Sequence, residues 1–114
     1  MPQKGNKMLY DELKKDPEIQ AYYKKGNDIL GVLGYTDHSI AHGVIVARKA
    51  ASVLHWLEAD EHTIDLAKTA GLMHDIGNAI NRQHHAEYGA LLANDILKEH
   101  KISLEDRVTV SIMR

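Results

Sequence analysis

The longest run of regularly spaced apolar residues constrains the fold of this chain most. Its members recur at steps of three and four, as side chains on one face of an α-helix do. They are Ile40, Val44, Ala47, Ala51 and Leu54. The sequence contains no strand-like alternation of apolar and polar residues, no internal repeat and no low-complexity segment. We therefore predict an all-α fold, a compact bundle of five to seven helices, with this stripe buried.

Helix start and stop signals divide the N-terminal part of the chain. Asn6 is a suitable cap for a short first helix, which breaks near Asp16 because Pro17 disfavours helical geometry in the residue before it. Pro17 is well placed to open a second helix, which Gly31 and Gly34 end. Two consecutive helices are therefore expected before the long buried one.

The remaining helices follow from similar signals. Asp37 is a suitable cap for the long helix, and Asp60 precedes a further helix that leads to His74. The polar residues between 78 and 83 predict a loop, after which another apolar stripe predicts a helix. Ser103 caps the last helix.

Length and composition limit the number of domains and the kinds of partner. A chain of 114 residues that is 44% hydrophobic fits one compact domain over residues 1–114. The net charge of -2 gives no basic surface for nucleic-acid phosphates, so we expect no nucleic acid as a partner. No signal peptide or membrane span is recognisable, so we expect a cytoplasmic protein that needs no membrane. The oligomeric state stays open, with a homodimer as one option.

The adjacent pair His74 and Asp75 offers one nitrogen and one oxygen ligand, a combination suited to divalent metals. Because adjacent helical residues point about 100° apart, both reach one ion only where the backbone leaves helical geometry. We expect Gly77 to provide this exit by adopting a left-handed conformation. The alternative is a helix-terminal histidine that interacts with the last carbonyls. With no cysteine in the chain, any metal is held by nitrogen and oxygen ligands.

Other histidines extend this set. His38 and His42 lie one helical turn apart, so they either share a ligand or bind different ones, and His38 alternatively only decorates the helix start. His84 and His85 stand at the entrance of a later helix. We interpret the remaining histidines as surface or helix-end residues; they are His55, His62 and His100.

Three separated elements together resemble the HD-domain superfamily of metal-dependent phosphohydrolases. They are His42 with its following helix, the segment 71–77 around the His-Asp pair, and His85 followed by Gly89. The resemblance implies that His42, His74 and Asp75 bind a divalent metal, with one or two ions per site. His85 would belong to the second-metal position, and His84 competes for that assignment. Mn, Fe, Zn, Ni, Co and Mg are not distinguished.

The sequence departs from the superfamily pattern at three places. Asn78 stands where a lysine often follows the motif, and Ile45 stands where an arginine often follows the first histidine. The aspartate with which the superfamily closes its metal site, from a later helix, is not found before Arg114. We therefore expect the native polypeptide to continue past Arg114, so that residues 1–114 form a single HD-like domain that is truncated on its C-terminal side.

The resemblance implies hydrolysis of a phosphate ester, a nucleotide or related small molecule, by metal-activated water. His74 and Asp75 would be catalytic. Arg82 and Asn78 are the candidates for contacting a substrate phosphate, although Arg82 can equally be a solvated loop arginine. Two alternatives stay open: a degenerate HD fold that binds a nucleotide or a partner without turnover, and a helical interaction module whose histidines are incidental.

Overall fold

The computed structural model describes residues 8–32, 39–80 and 83–113. Within these ranges the chain forms helices and no strand, which confirms the all-α prediction. The six α-helices are α1 (Leu9–Lys14), α2 (Pro17–Val32), α3 (Ile40–Trp56), α4 (Glu61–Leu72), α5 (His85–Glu99) and α6 (Leu104–Met113), with a 3₁₀ helix (Ile76–Ala79) between α4 and α5. None of these helices is long and apolar enough to cross a membrane.

The break between α1 and α2 lies where the proline predicted it. The Asp16 carboxylate accepts hydrogen bonds from the backbone N–H groups of Glu18 at 2.7 Å and Ile19 at 3.4 Å, so it caps α2. Helix α2 continues through Gly31 to Val32. The predicted caps Asn6 and Asp37 and the predicted terminator Gly34 lie outside the described residues.

Short polar side chains accept hydrogen bonds from free backbone N–H groups at the starts of α4 and α6. At the start of α4, the Asp60 carboxylate accepts from the N–H of Thr63 at 2.7 Å. At the start of α6, the Ser103 hydroxyl accepts from the N–H of Asp106 at 3.2 Å. The connection between α3 and α4 is short, and Glu58 within it has a φ of 62°, in the left-handed region.

One hydrophobic cluster receives side chains from every helix. Its members include Leu13 of α1, Ile19 of α2, Ala47 of α3, Leu66 of α4, Ile76 of the 3₁₀ helix, Ile96 of α5 and Val110 of α6. The stripe predicted for the long helix is buried at Ala47 and Ala51, and Ile40 and Val44 pack against the cluster. This core fixes α3, α4 and α5 relative to one another. His42 lies on α3, His85 on α5, and His74 in the turn that follows α4.

Candidate metal centre

The His-Asp pair lies in a turn between two helices. Helix α4 ends at Leu72, residues 73–75 form a turn (the His-Asp turn below), and the 3₁₀ helix begins at Ile76. In this turn the His74 Nε2 atom lies 3.2 Å from Asp75 Oδ2. Two adjacent side chains thus face one another, which a continuous α-helix does not allow. The predicted departure from helical geometry at this pair is confirmed.

The role predicted for Gly77 is wrong. Gly77 lies inside the 3₁₀ helix and does not adopt a left-handed conformation. A Cβ atom added there would lie 1.8 Å from the carbonyl oxygen of His85 and 2.6 Å from the backbone nitrogen of Gly89. Glycine is therefore required because the first turn of α5 passes against the 3₁₀ helix. The same helix includes Asn78, so the predicted loop begins later than expected.

Helices α3 and α4 bring His42 to this turn. Their backbones approach closely, because a Cβ atom added to Gly71 would lie 3.0 Å from Cα of Ala47. The imidazole rings of His42 and His74 have their centroids 5.3 Å apart with planes tilted by 58°. One ligand atom each from His42, His74 and Asp75 lies within 4.8 Å of the other two. Residues separated by 32 positions in the sequence therefore converge in one cluster.

A backbone hydrogen bond assigns the two ring nitrogens of His74. Its Nδ1 atom lies 2.8 Å from the carbonyl oxygen of Gly71. A carbonyl only accepts, so Nδ1 carries the proton in this bond. In a neutral ring, Nε2 then presents its lone pair toward Asp75 Oδ2 at 3.2 Å. Two acceptors at this distance can share a proton or bind one metal ion together.

His85 reaches the same carboxylate from the start of α5. Its Nε2 atom lies 3.5 Å from Asp75 Oδ1, so the two oxygens of Asp75, which is 6% exposed, face two different imidazoles. His84 is exposed at the position before α5. His85 is therefore the histidine for which a ring nitrogen is seen beside Asp75, and the choice between His84 and His85 as a ligand stays a prediction. His38 and Arg82 lie outside the described residues.

The three histidines that we interpreted as surface or helix-end residues either pair with an aspartate or are exposed. His62 pairs with Asp106 at 3.1 Å, His100 pairs with Asp16 at 2.6 Å, and His55 is exposed in the last turn of α3. They do not join the convergent cluster found among the described residues.

Asn78, the expected phosphate contact, is 3% exposed and packs against Gly26 of α2. Its side chain thus belongs to the contact between α2 and the 3₁₀ helix. A residue this deeply buried reaches a substrate only if the surrounding helices part. A contact between Asn78 and a phosphate therefore remains a prediction without geometric support in this structure.

Tyr23 of α2 is a residue of this region that the sequence did not single out. It is 2% exposed, and its hydroxyl donates a hydrogen bond to the carbonyl oxygen of Leu72. Burial and the nearby charge of Asp75 raise the pKa of the Tyr23 phenol, which a hydrogen bond with the Asp75 backbone only partly offsets. A tyrosine on an apolar stripe looks like any core residue in the sequence, so only the hydroxyl contact reveals it.

A cavity of about 400 Å³ opens beside the cluster. It lies between α3, α4 and the end of α6, where Met113 contributes, and His74 forms part of its wall. The other lining side chains are apolar or glycine. His74 therefore contacts both the ligand cluster and an apolar space of a size that accepts a small molecule.

Comparison with known proteins relates this geometry to a family. The family described as the HD domain matches residues 35–113, which include all the residues of the cluster. No solved structure matches the chain.

Curated relatives cover most of the chain. An uncharacterised protein of Methanocaldococcus jannaschii, MJ1020, is 33% identical over 107 residues, 81% of this chain and 41% of its own length. Ribonuclease Y of Clostridium kluyveri is 30% identical over 112 residues, 90% of this chain and 21% of its own length. Ribonuclease Y of Acetivibrio thermocellus is 37% identical over 71 residues, 62% of this chain and 13% of its own length. The chain thus spans less than half the length of each of these relatives.

Proposed function

The chain belongs to the HD-domain family, and on this premise we propose that it is a metal-dependent phosphohydrolase that cleaves a small phosphate ester. The ligands that we assign to the metal are His42, His74 and Asp75, with His85 adding to a second position. The proposal extends the family assignment, which covers metal-dependent hydrolysis in general, to a class of substrate and to named residues.

One observation carries the proposal: three side chains, one from α3 and two from the His-Asp turn, offer ligand atoms within 4.8 Å of one another. Two imidazoles and a carboxylate suit Mn, Fe, Co, Ni or Zn, and the carboxylate also suits Mg. The Nε2 atom of His74 and the Oδ2 atom of Asp75 are 3.2 Å apart, close enough to bind one ion together. The donor set therefore fits a divalent ion.

Each residue has a distinct part in this function. A divalent ion, when bound, acidifies a water molecule and screens the charge of phosphoryl oxygens. Asp75 supplies the negative charge of the ligand set, and its two oxygens, 3.2 Å from His74 and 3.5 Å from His85, are placed to serve two positions. His74 is held by the Gly71 carbonyl, so its Nε2 atom keeps one orientation. His42 provides the second imidazole from α3.

The charge of the chain and the cavity beside His74 favour a small substrate. The net charge of -2 provides no extended basic surface for a polynucleotide backbone, whereas the cavity of about 400 Å³ beside His74 has room for the rest of a small ester. The second candidate is cleavage of RNA, which the names of the two Ribonuclease Y relatives favour. Substrate preference therefore separates the two functions, because both use the same ligands.

Metal content tests the site directly. Replacing Asp75 with asparagine removes the ligand charge while keeping the side-chain size, so we expect metal affinity to fall at least about tenfold. Inductively coupled plasma mass spectrometry after loading with Mn²⁺ measures the loss. Asp95→Asn is the matched control, because Asp95 is exposed on α5 and outside the cluster. Equal metal content in the folded Asp75→Asn and wild-type proteins would contradict the proposed site.

An activity screen tests the substrate class. The Mn²⁺-loaded protein is incubated with phosphomonoesters, cyclic dinucleotides and single-stranded RNA, and Asp75→Asn serves as the negative control. Hydrolysis of a small ester that disappears in Asp75→Asn supports the proposal, and cleavage of RNA alone supports the second candidate. Bound metal without any turnover would instead support the non-catalytic alternative, an HD fold that binds a nucleotide or a partner.

A further inference from the structure

The hydroxyl of Tyr23 is the meeting point of three parts of the fold. It donates a hydrogen bond to the carbonyl oxygen of Leu72, the last residue of α4. A Cβ atom added to Gly43 of α3 would lie 2.8 Å from this hydroxyl oxygen and 2.8 Å from the Leu72 carbonyl oxygen. Gly43 therefore leaves the space in which the hydrogen bond forms. Helices α2, α3 and α4 meet at this single contact.

This contact adjoins the proposed metal ligands on two sides. Gly43 directly follows His42 in α3, and Leu72 directly precedes the His-Asp turn. A displacement of the Leu72 carbonyl would therefore be transmitted to His74 and Asp75, which follow it by two and three residues.

Helix α2 also contacts the far side of the turn. Gly26 lies three residues after Tyr23, on the same face of α2. A Cβ atom added to Gly26 would lie 3.1 Å from Cβ of Asn78 and 3.2 Å from the backbone nitrogen of Ala79. Tyr23 thus contacts the residue before the His-Asp turn, and Gly26 contacts the 3₁₀ helix after it. One face of α2 supports both ends of the turn.

The buried position of this hydrogen bond makes it consequential. The last carbonyls of a helix lack hydrogen-bond donors within the helix. The Leu72 carbonyl receives a donor from Tyr23, a residue that is 2% exposed. Removing the hydroxyl leaves a buried acceptor without this donor, so the end of α4 would relax toward another partner. Metal ligands are sensitive to such relaxation, because outer hydrogen bonds set their orientation.

Building on the proposed function, we propose that Tyr23 is a positioning residue of the metal centre. Its hydroxyl holds the end of α4 so that His74 and Asp75 meet His42 at ligand distance. Tyr23 itself does not coordinate the ion. The proposal assigns a specific role to α2, which contributes no ligand to the described cluster.

Cobalt binding to the full-length protein tests this role. Co²⁺ is titrated into the wild-type, Tyr23→Phe and Tyr22→Phe proteins, and the visible absorption spectrum reports affinity and coordination geometry together. We expect Tyr23→Phe to bind Co²⁺ about 10–100-fold more weakly, the range found when an outer hydrogen bond of a metal site is removed, and with an altered spectrum. Tyr22→Phe is the matched control, because the Tyr22 hydroxyl lies 3.3 Å from Glu18 instead of at the turn.

The outcomes separate this proposal from the proposed function. A wild-type protein that binds no Co²⁺ overturns both. Wild-type binding with the same affinity and spectrum in folded Tyr23→Phe overturns the role of Tyr23 and leaves the metal site intact. Should Tyr23→Phe not fold, Gly43→Ala perturbs the same contact from α3, where the added methyl group would lie 2.8 Å from the phenol oxygen. Unchanged Co²⁺ binding in folded Gly43→Ala would likewise overturn the role.

Discussion

Replacing Gly77 with alanine tests the packing that places His85. The added Cβ atom would lie 1.8 Å from the His85 carbonyl oxygen, whereas ordinary contacts of a Cβ atom lie between 3.4 and 4 Å. The neighbouring atoms belong to the backbone of α5, so no side-chain rotation relieves the clash. The 3₁₀ helix and the first turn of α5 must therefore separate by more than an ångström.

The cost of this separation follows from overpacking in a dense interior. Forced backbone shifts of this kind typically destabilise a protein by about 1–3 kcal/mol. A loss of 1 kcal/mol lowers the melting temperature of a domain of this size by about 4 °C, so a decrease of about 4–12 °C is expected. The same movement takes His85 Nε2 away from Asp75 Oδ1, which lie 3.5 Å apart.

Thermal unfolding followed by far-ultraviolet circular dichroism measures the effect. Gly31→Ala is the matched control, because Gly31 lies in α2 with no atom within 4 Å of an added Cβ. Alanine in an open helical position stabilises by about 0.5–1 kcal/mol, so this variant should melt about 2–4 °C higher than the wild type. A Gly77→Ala protein that melts at or above the wild-type temperature would refute the argument that α5 excludes a side chain here.

Two further predictions concern stability. Burial alone would raise the pKa of Asp16, but hydrogen bonds from His100 and from the N–H groups of Glu18 and Ile19 lower the pKa overall. The contribution of the Asp16 carboxylate to the free energy of unfolding is therefore complete above the ordinary carboxyl pKa, and it is lost as pH falls through the lower pKa of the folded state. Asp16→Ala should therefore cost about 1 kcal/mol in urea denaturation at pH 7, and the difference from wild type should shrink below about pH 4; a pH-independent difference would contradict this. Glu58→Gly should raise the free energy of unfolding by about 1 kcal/mol in the same assay, because a left-handed φ of 62° costs a residue with a side chain about 1 kcal/mol. Unchanged stability of this variant would argue against strain at position 58.

Local signals in the sequence were sufficient for the helices and for part of the site. The apolar stripe of α3 and the proline before α2 each depend on neighbouring residues only, and both helices form where these signals predict them. The convergence of His42 with His74 could also be predicted, since each lies on or beside an apolar stripe that must face the core. The choice between His84 and His85 as the additional ligand could not be predicted from the sequence, because it depends on how α5 approaches Asp75.

Residues whose role depends on a distant contact were beyond sequence reasoning. Gly77 looked like a helix terminator because glycine commonly ends helices, and its actual role arises from the passage of α5. Asn78 looked like a polar loop residue, yet it is buried against Gly26. In both cases the determining partner lies elsewhere in the sequence, and no local pattern encodes its position.

The short connection between α3 and α4 has a consequence for how the site is assembled during folding. His42, His74 and Asp75 all belong to a single helical hairpin with its following turn, residues 40–75. Helical hairpins form rapidly, because their contacts are close in sequence and little loop entropy is lost. The hairpin can therefore bring the three proposed ligands near one another before α5 docks, whereas the support from α2 and the approach of His85 come only when the longer-range contacts form. In a folding experiment, a metal ion added early would stabilise this hairpin and accelerate folding, whereas the contribution of His85 would affect mainly the rate of unfolding.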